Sequence, residues 1–363
     1  MRRIAFVMPS ARAGGAERVF VNLLRSLDRR LFEPVCLLVD ASGPYLELLP
    51  DDVRRVAGGG RRLVRSWPTL LRALRSLRPD LLVSTVPHVN LAALLSKPFL
   101  PKRTRVVVRE SNVASISLRT DRRAPFFKVF YRGLYPRADA VVAPGQAVKE
   151  DLVRWFGVRD ERVLVLPNPV DTAAVERQAR SGGNPYCQGL NLVSVGSLTV
   201  QKGFDLLIKA VAHLVRGRSD LCLTIVGEGP ERPRLEERIR SLGLGSIVRL
   251  AGMQVNPYPY LFHADLYVLS SRWEGLPNAV LESLACGTPV VGFHCPGCAG
   301  EILESPRQGM LVAPGDVKAL VRAVDYYARG ERPKGRSLLP ARFHLETAVA
   351  RYQEAFLEVM GLG

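Results

Sequence analysis

Residues Ser270–Phe293 read SSRWEGLPNAVLESLACGTPVVGF. An apolar run ends at Ser270 and Ser271. A turn rich in Gly and Pro carries Glu274, a helical segment carries Glu282, and Pro289–Phe293 is apolar and strand-like again. Proline favours the first turn of a helix, so the helix starts beside Pro277. Val280, Leu281, Leu284 and Ala285 form its buried stripe. Asn278 and Glu282, four positions apart, share a face off that stripe. Strand, turn, helix and strand in this order are the punctuation of a parallel sheet.

The same punctuation runs outward in both directions. RIAFVMP, PVCLLVD, DLLVSTV, RVVVRE, DAVVAP and RVLVLP read as strands in the first half, and LNLVSVG, LCLTIVG, IVRLAG and DLYVLSS in the second. They are β-branched and nearly continuous, as strands buried on both faces should be. Helical patterns separate most of them. The chain of 363 residues is too long for one small core, and two doubly wound α/β domains are expected. Prolines flank Asn168 and a Gly/Asn/Pro-rich stretch follows, which places a linker at about 168–188. The domains are then 1–170 and 171–340, and 341–363 holds a terminal helix.

Composition narrows the class. Hydrophobic content of 47% and charge of 23% fit a globular protein. No apolar run reaches the roughly 20 residues that span a bilayer. MRRIAFVMPS lacks a small-residue cleavage site and reads as a first strand rather than a signal peptide. Six scattered cysteines argue for a reducing compartment. Charge is uneven. Residues 1–170 carry 30 Lys and Arg against 15 Asp and Glu, while the rest of the chain is nearly balanced. Such a half-chain suits an anionic surface. SWPTLLRALRSLRPDL and RTDRRAPFFKVFYRGLYPRAD are basic and amphipathic. The first fits a core-facing helix. The second has aromatics in excess of one core stripe and is the better membrane candidate. No nucleic-acid reading motif is present.

Open parallel sheets bind ligands beyond the carboxyl ends of their strands. Gly14 and Gly15 follow the first strand and open a helix, where backbone amides favour an anion. In the second half Gly196 ends a strand, Lys202 lies in the loop and Gly203 precedes a helix. A lysine beside helix N–H groups suits a diphosphate. Glu274 and Glu282 are acceptors, and a sugar or ribose offers hydroxyl donors to them. The acids thus suit hydroxyls, while amides and Lys202 suit phosphate. His294, Cys295 and Cys298 form a lone C-x2-C with an adjacent histidine. Two further ligands at zinc spacing are missing, so no metal site is expected.

Taken together, the E-x7-E element Glu274–Glu282, VGSLTVQKGFDLLI, VGEGP, LPNPVD, ACGTPVV and the N-terminal GGAER resemble the retaining glycosyltransferases of family 4, in order and over essentially the whole chain. The resemblance implies a GT-B fold: two Rossmann-like domains facing across a cleft. The second domain would hold a nucleotide-sugar donor, the first would supply most of the acceptor site, and the last helix would cross back to the first domain. Glu282 would bind the ribose hydroxyls and Glu274 the donor sugar. The backbone amides of the segment Gly275, Leu276, Pro277 and Asn278 would hold the sugar and diphosphate. Lys202, beside Gly196 and Ser197, would neutralise the leaving diphosphate, with Gly15 bordering it. The base would lie near Gly252 and Met253, and Glu301 near the donor.

Three departures stand out. The family commonly has arginine where Ser197 stands, a histidine after the fifth strand where this chain has Arg109, Glu110 and Asn112, and an arginine in the loop where Gly300 precedes Glu301. Charge compensation then rests on Lys202 and Arg109, with His88, Glu110 and Asn112 on the acceptor side. The resemblance further implies a UDP-linked donor such as an N-acetylhexosamine and a lipid-linked or cell-surface glycan acceptor. It implies no metal or other cofactor, no nucleic-acid partner, and a cytoplasmic protein held peripherally on the inner membrane face by its basic half. A GT-B epimerase or phosphorylase is a weaker fit, since no pyridoxal lysine motif appears. The reading from another class is a catalytically silent nucleotide-binding or membrane-associated scaffold.

Overall fold

The structure is a computed structural model. It describes residues 1–12, 14–120, 124–186, 188–330 and 336–362, with the backbone alone at 120 and 124–126. The chain divides into two compact units, Met1–Pro169 with Arg342–Gly363, and Val170–Ala341.

The first unit is built on a seven-stranded sheet of β1 (Arg2–Ser10), β2 (Phe32–Asp40), β3 (Arg54–Ala57), β4 (Leu81–Thr85), β5 (Arg105–Arg109), β6 (Ala140–Ala143) and β7 (Val163–Val165). Its spatial order is β3-β2-β1-β4-β5-β6-β7 and every pairing is parallel. The order reverses between β1 and β4, which is a ligand-binding switch point in such sheets. One face is covered by the helix Gly15–Ser26 and the terminal helix Leu345–Val359. Phe6 of β1 packs edge-on to Phe20 at 5.1 Å and to Phe356 at 6.2 Å. The spacing of Val349, Tyr352 and Phe356 puts all three on the buried stripe of that last helix.

The second unit has six parallel strands: β8 (Leu190–Val195), β9 (Leu221–Val226), β10 (Val248–Leu250), β11 (Leu266–Leu269), β12 (Val290–Phe293) and β13 (Gly309–Val312). The order is β10-β9-β8-β11-β12-β13, with the switch between β8 and β11.

Several expectations change. β3 and β13 were not legible as strands. Both are edge strands: β3 carries two arginines and three of its four residues are exposed, so it lacks the apolar run of a central strand, while β13, GMLV, is apolar but short. The stretch 168–188 is not a plain linker. It contains the helix Thr172–Arg180, capped where the Asp171 side chain accepts from Ala174 N at 2.8 Å. That helix packs against the helices Tyr258–His263 and Asn278–Ala285.

The basic helix Leu63–Leu77 turns Leu70, Leu74 and Leu77 inward, as a core-facing helix should. In the helix Ala124–Leu134, Tyr131 is fully buried rather than surplus. Arg122 and Arg123, and the side chain of Phe126, lie outside the described residues. No helix among the described residues is long and apolar enough to cross a membrane.

Candidate active site

In the second unit the loop after β8 and the loop after β11 are stitched into one platform. A short helical turn, Val200–Lys202, is followed by Gly203 in the left-handed region at φ 62°. A Cβ on Gly203 would lie 2.1 Å from Ser270 O, so only glycine allows this approach. Four contacts close the platform. Arg272 N donates to Gln201 O at 2.7 Å, Gln201 Nε2 to Trp273 O at 3.0 Å, and Ser270 Oγ to Lys202 O at 2.8 Å. Arg272 also grips Asp205 with two bonds of 2.8 Å, and this guanidinium holds the Asp205 carboxyl below its usual range.

On that platform Lys202 Nζ donates to Glu274 Oε1 at 2.6 Å, and Ser271 Oγ donates to the same oxygen at 2.6 Å. The lysine stem passes over Gly196, where an added Cβ would lie 3.0 Å from it. Glu274 is buried. Its N–H donates to Pro296 O at 3.0 Å, and Cys298 N donates to Gly275 O at 2.8 Å. The loop after β12 therefore braces the loop after β11.

Glu282 lies in the helix Asn278–Ala285, whose N-cap is Pro277. The expectation that its face would stand off the buried stripe is corrected. From Val280 to Ala285 every residue is buried, because β11, β12 and two helices surround this helix. Burial foremost, then the Glu274 and Glu282 charges, pushes the Tyr267 phenol far up. The two acids therefore act on one buried tyrosine. Gly275, Leu276 and Pro277 are buried and Asn278 half-buried.

The remaining donor-side residues sit on the same rim. Ser197 is exposed, Glu301 is half-buried, and Met253 is 66% exposed. Gly252 takes φ 73°, and its carbonyl accepts from Gly227 N at 2.9 Å. Cys295, near Lys202 and Glu274, is buried, and burial pushes its thiol up to about 12. Its thiol is therefore protonated and poorly nucleophilic at neutral pH. Among the described residues no group of three His, Cys, Asp or Glu is placed to hold a metal ion.

In the first unit the expected residues scatter more. Gly15 is the first residue of its helix and is exposed. His88 is exposed in the helix Pro87–Ser96, just after Val86 at φ 65°. A β-branched residue in that region costs of order 1–3 kcal/mol. Arg109 ends β5, is 1% exposed, and donates from Nη2 to Asn168 Oδ1 at 2.5 Å. Glu110 is buried. Its Oε2 accepts from Tyr131 at 2.9 Å and Tyr135 at 2.8 Å, whose rings stack at 4.2 Å. Asn112 Oδ1 accepts from Val113 N at 2.9 Å.

Sequence reasoning did not single out Ser271, Tyr267, Glu17 or Asn168. Ser271 and Glu17 lie inside motifs already quoted. Nothing in the sequence marks the buried tyrosines that surround Glu110.

Residues 13–174 match the family described as Glycosyltransferase Family 4, and residues 189–329 match Glycosyl transferases group 1. An uncharacterized glycosyltransferase of Methanocaldococcus jannaschii is 28% identical over 67% of this chain. The match spans 62% of that relative, less than two thirds of its length. The N-acetylgalactosamine-N,N'-diacetylbacillosaminyl-diphospho-undecaprenol 4-alpha-N-acetylgalactosaminyltransferase of Campylobacter jejuni is 28% identical over 86% of both chains. The crystal structure of HepE from Anabaena in complex with UDP-glucose is similar with a TM-score of 0.80 and 20% identity, covering 99% of this chain and 100% of that one. With two doubly wound parallel units, and with the two halves matching two glycosyltransferase family models that together span most of the chain, the chain belongs to the family 4, group 1 glycosyltransferases and has their GT-B fold.

Proposed function

We propose that this glycosyltransferase moves a sugar from a UDP-linked donor to a lipid-linked or cell-surface glycan with retention of anomeric configuration. The observation that carries the reading is the cluster of Lys202, Ser271 and Glu274 at the carboxyl ends of β8 and β11, with Glu282 on the next helix. A cation for a diphosphate and carboxylates for hydroxyls stand on one platform.

The difficulty of the reaction is to stabilise a departing diphosphate beside a cationic sugar. Preorganised charge can do this without a protein nucleophile. Lys202 takes the developing phosphate charge, Glu274 the sugar hydroxyls, and Glu282 the ribose. In this reading the donor phosphate accepts the proton of the attacking acceptor hydroxyl on the same face. No metal is assigned, since Lys202 supplies the positive charge. The pair is not a glycosidase acid and base, because one glutamate is given to ribose, away from the bond that breaks.

UDP is supported by the donor named in the Anabaena complex, and an N-acetylhexosamine by the name of the Campylobacter relative. That relative's name also holds an undecaprenol-linked diphosphate. Such an acceptor suits a first half with twice as many basic as acidic residues, held at the cytoplasmic face of an anionic membrane.

Thermal unfolding with UDP and GDP is the first test, because a ligand that binds only the folded state raises the midpoint. UDP should stabilise. Product mapping with radiolabelled UDP-N-acetylhexosamines and membrane extracts should yield a lipid-extractable product whose new linkage keeps the donor's configuration. Absence of stabilisation by any nucleoside diphosphate would overturn the donor assignment. Binding without any turnover would favour the silent scaffold.

A further inference from the structure

At the amino ends of β4 and β5, opposite the carboxyl ends that lead to Arg109 and Glu110, the first unit holds a cleft of about 550 Å³. Its polar lining is Arg75, Arg78, Lys102 and Arg103, with Phe99 and Leu100 among its apolar lining. Four cations around one cleft repel one another, and among the described residues no carboxylate lines it. The side chains of Arg75, Arg78 and Lys102 make no hydrogen bond or ion pair among the described residues. Arg103 is held loosely. Its Nη2 donates to Arg78 O at 3.2 Å, and its Nε stands 3.9 Å from Asp80 Oδ1. Asp80 is engaged on the other side, where it accepts from Arg3 N at 2.9 Å with Arg2 Nη1 3.9 Å away. The protein therefore supplies little counter-charge to the cleft.

The walls are fixed by the backbone. Thr104 is buried and donates from Oγ1 to Pro79 O at 2.6 Å, and Arg105 N donates to Asp80 O at 2.9 Å. These bonds tie together the two loops that lead into neighbouring strands. Thr104 N donates to Pro101 O at 2.8 Å and closes the turn that carries Lys102 and Arg103. Arg78 caps the helix Leu63–Leu77 at φ 45°, in the left-handed region where glycine usually stands. An arginine held there despite the strain adds a guanidinium to a cleft that already has three cations. Phe99 is 61% exposed at the same place.

We propose that this cleft is a second anion site, which binds a phosphate ester group that takes no part in sugar transfer. Guanidinium and ammonium groups without protein partners offer donors to several phosphate oxygens, and the forks of Arg78 and Arg103 match their geometry. β4 has five residues, so its two ends stand about 17 Å apart. A phosphate held here is thus a different group from any bound at the carboxyl ends. It belongs either to a free phosphate compound or to the head group of an anionic lipid, for which Phe99 supplies an apolar contact. The proposal goes beyond the glycosyl-transfer reading and does not depend on it. The plainer alternative is a set of solvated charges that attract any anion equally.

The test is calorimetric titration of inorganic pyrophosphate into the full chain, in a Lys202→Ala background that weakens phosphate binding by the second unit. Salt is set near about 0.15 M, where charges more than about 8 Å away are largely screened. Arg78→Gln with Lys102→Gln should bind at least about tenfold more weakly than its parent, since two charge-assisted contacts are lost. Arg54→Gln with Arg72→Gln removes the same charge from exposed positions outside the cleft and should bind within about twofold of the parent. All four side chains are exposed, so unfolding midpoints should stay together. Equal loss in the two pairs, or loss in neither, would overturn the proposal.

Vesicles of phosphatidylcholine with and without phosphatidylglycerol distinguish the two sources. For a lipid head group, the cleft pair should lose about tenfold in binding to the phosphatidylglycerol vesicles, and Phe99→Ser should weaken that binding while keeping its pyrophosphate affinity. For a free phosphate, the cleft pair and the control pair should bind vesicles alike. UDP should bind the cleft pair, made without the Lys202 change, as it binds the unmodified protein. A loss of UDP affinity there would overturn the separation from the transfer site. If UDP binds neither protein, the donor assignment falls while the pyrophosphate comparison still decides the cleft.

Discussion

Lys202 Nζ lies 2.6 Å from Glu274 Oε1, and Ser271 Oγ reaches the same oxygen from the other loop residue of that platform. The carboxylate is the more buried partner, its side chain 6% exposed against 22% for the lysine. The two groups assigned to diphosphate and sugar therefore hold each other in the free chain. A donor must share or replace this bond, so each group is oriented before the donor arrives.

That pairing predicts an asymmetric pair of variants. Lys202→Met leaves Glu274 buried with Ser271 alone and should lower stability by about 1–3 kcal/mol. Adding Glu274→Gln removes the orphaned charge and should restore most of it. Turnover should fall about 100-fold or more in both, because neither retains a cation at the diphosphate. Urea unfolding and steady-state turnover separate the two effects. A Lys202→Met variant with full turnover would sink the assignment.

The assignment of Glu282 to ribose predicts a coupling to the ligand itself. Unmodified protein should bind UDP about tenfold or more tightly than 2′-deoxy-UDP, since a carboxylate acceptor would be left without its donor. In Glu282→Gln the two ligands should differ far less. Titration of both ligands against both proteins forms a double-mutant cycle. Equal discrimination in the two proteins would assign ribose elsewhere.

Glycines in the loop after β12 should differ sharply although they are three apart. Gly297 takes φ 121°, and a Cβ there would lie 1.7 Å from Glu274 O. Gly297→Ala must move backbone that braces Glu274 and should cost about 2–4 kcal/mol, with loss of nucleotide binding. A Cβ on Gly300 meets only the exposed His294 ring, at 2.1 Å from Nε2. That ring can swing away, so Gly300→Ala should cost less than about 1 kcal/mol. Chemical unfolding of the pair checks the ranking, and a reversal would contradict the bracing role.

Glu110 predicts a pH slope. Burial raises its carboxyl, against the hydrogen bonds of Tyr135, Ser111, Tyr131 and Asn112. An acid whose folded pKa lies above its unfolded one binds more protons when folded. Its contribution to stability is therefore highest below its ordinary range and declines as pH rises through the folded value. Glu110→Gln should flatten the decline between mildly acidic and neutral pH while keeping an acceptor for both tyrosines. Unfolding midpoints of the two proteins across that range give the comparison. Parallel profiles would mean that Glu110 does not titrate there.

Much of this architecture was legible from residue order because of where its strands lie. Central strands such as RIAFVMP and LNLVSVG are buried on both faces and must be apolar throughout. The edge strand Arg54–Ala57 escapes that demand and could not be read, and Gly309–Val312 is apolar but too short to stand out, whereas the edge strands Val163–Val165 and Val248–Leu250 lie in apolar runs that could be read. The helix Thr172–Arg180 carried a readable Asp171 cap, but the Gly, Asn and Pro after it dominated the composition of the segment.

The candidate site divides in the same way. Glu274, Glu282 and Lys202 stand out because their motifs are local: a strand end, a glycine and a helix start within a few residues. Their partnership is not local. Lys202 and Glu274 are 72 positions apart and meet because β8 and β11 are neighbours at the switch point. Tyr131 and Tyr135, which meet at Glu110, come from a helix and the turn after it, and no spacing in the chain announces them. Residue order could name charged groups at strand ends, because turn and helix chemistry is local. Which charge faces which, and which buried atom lacks a partner, depends on strand order and burial, and these exist only once the sheet has formed.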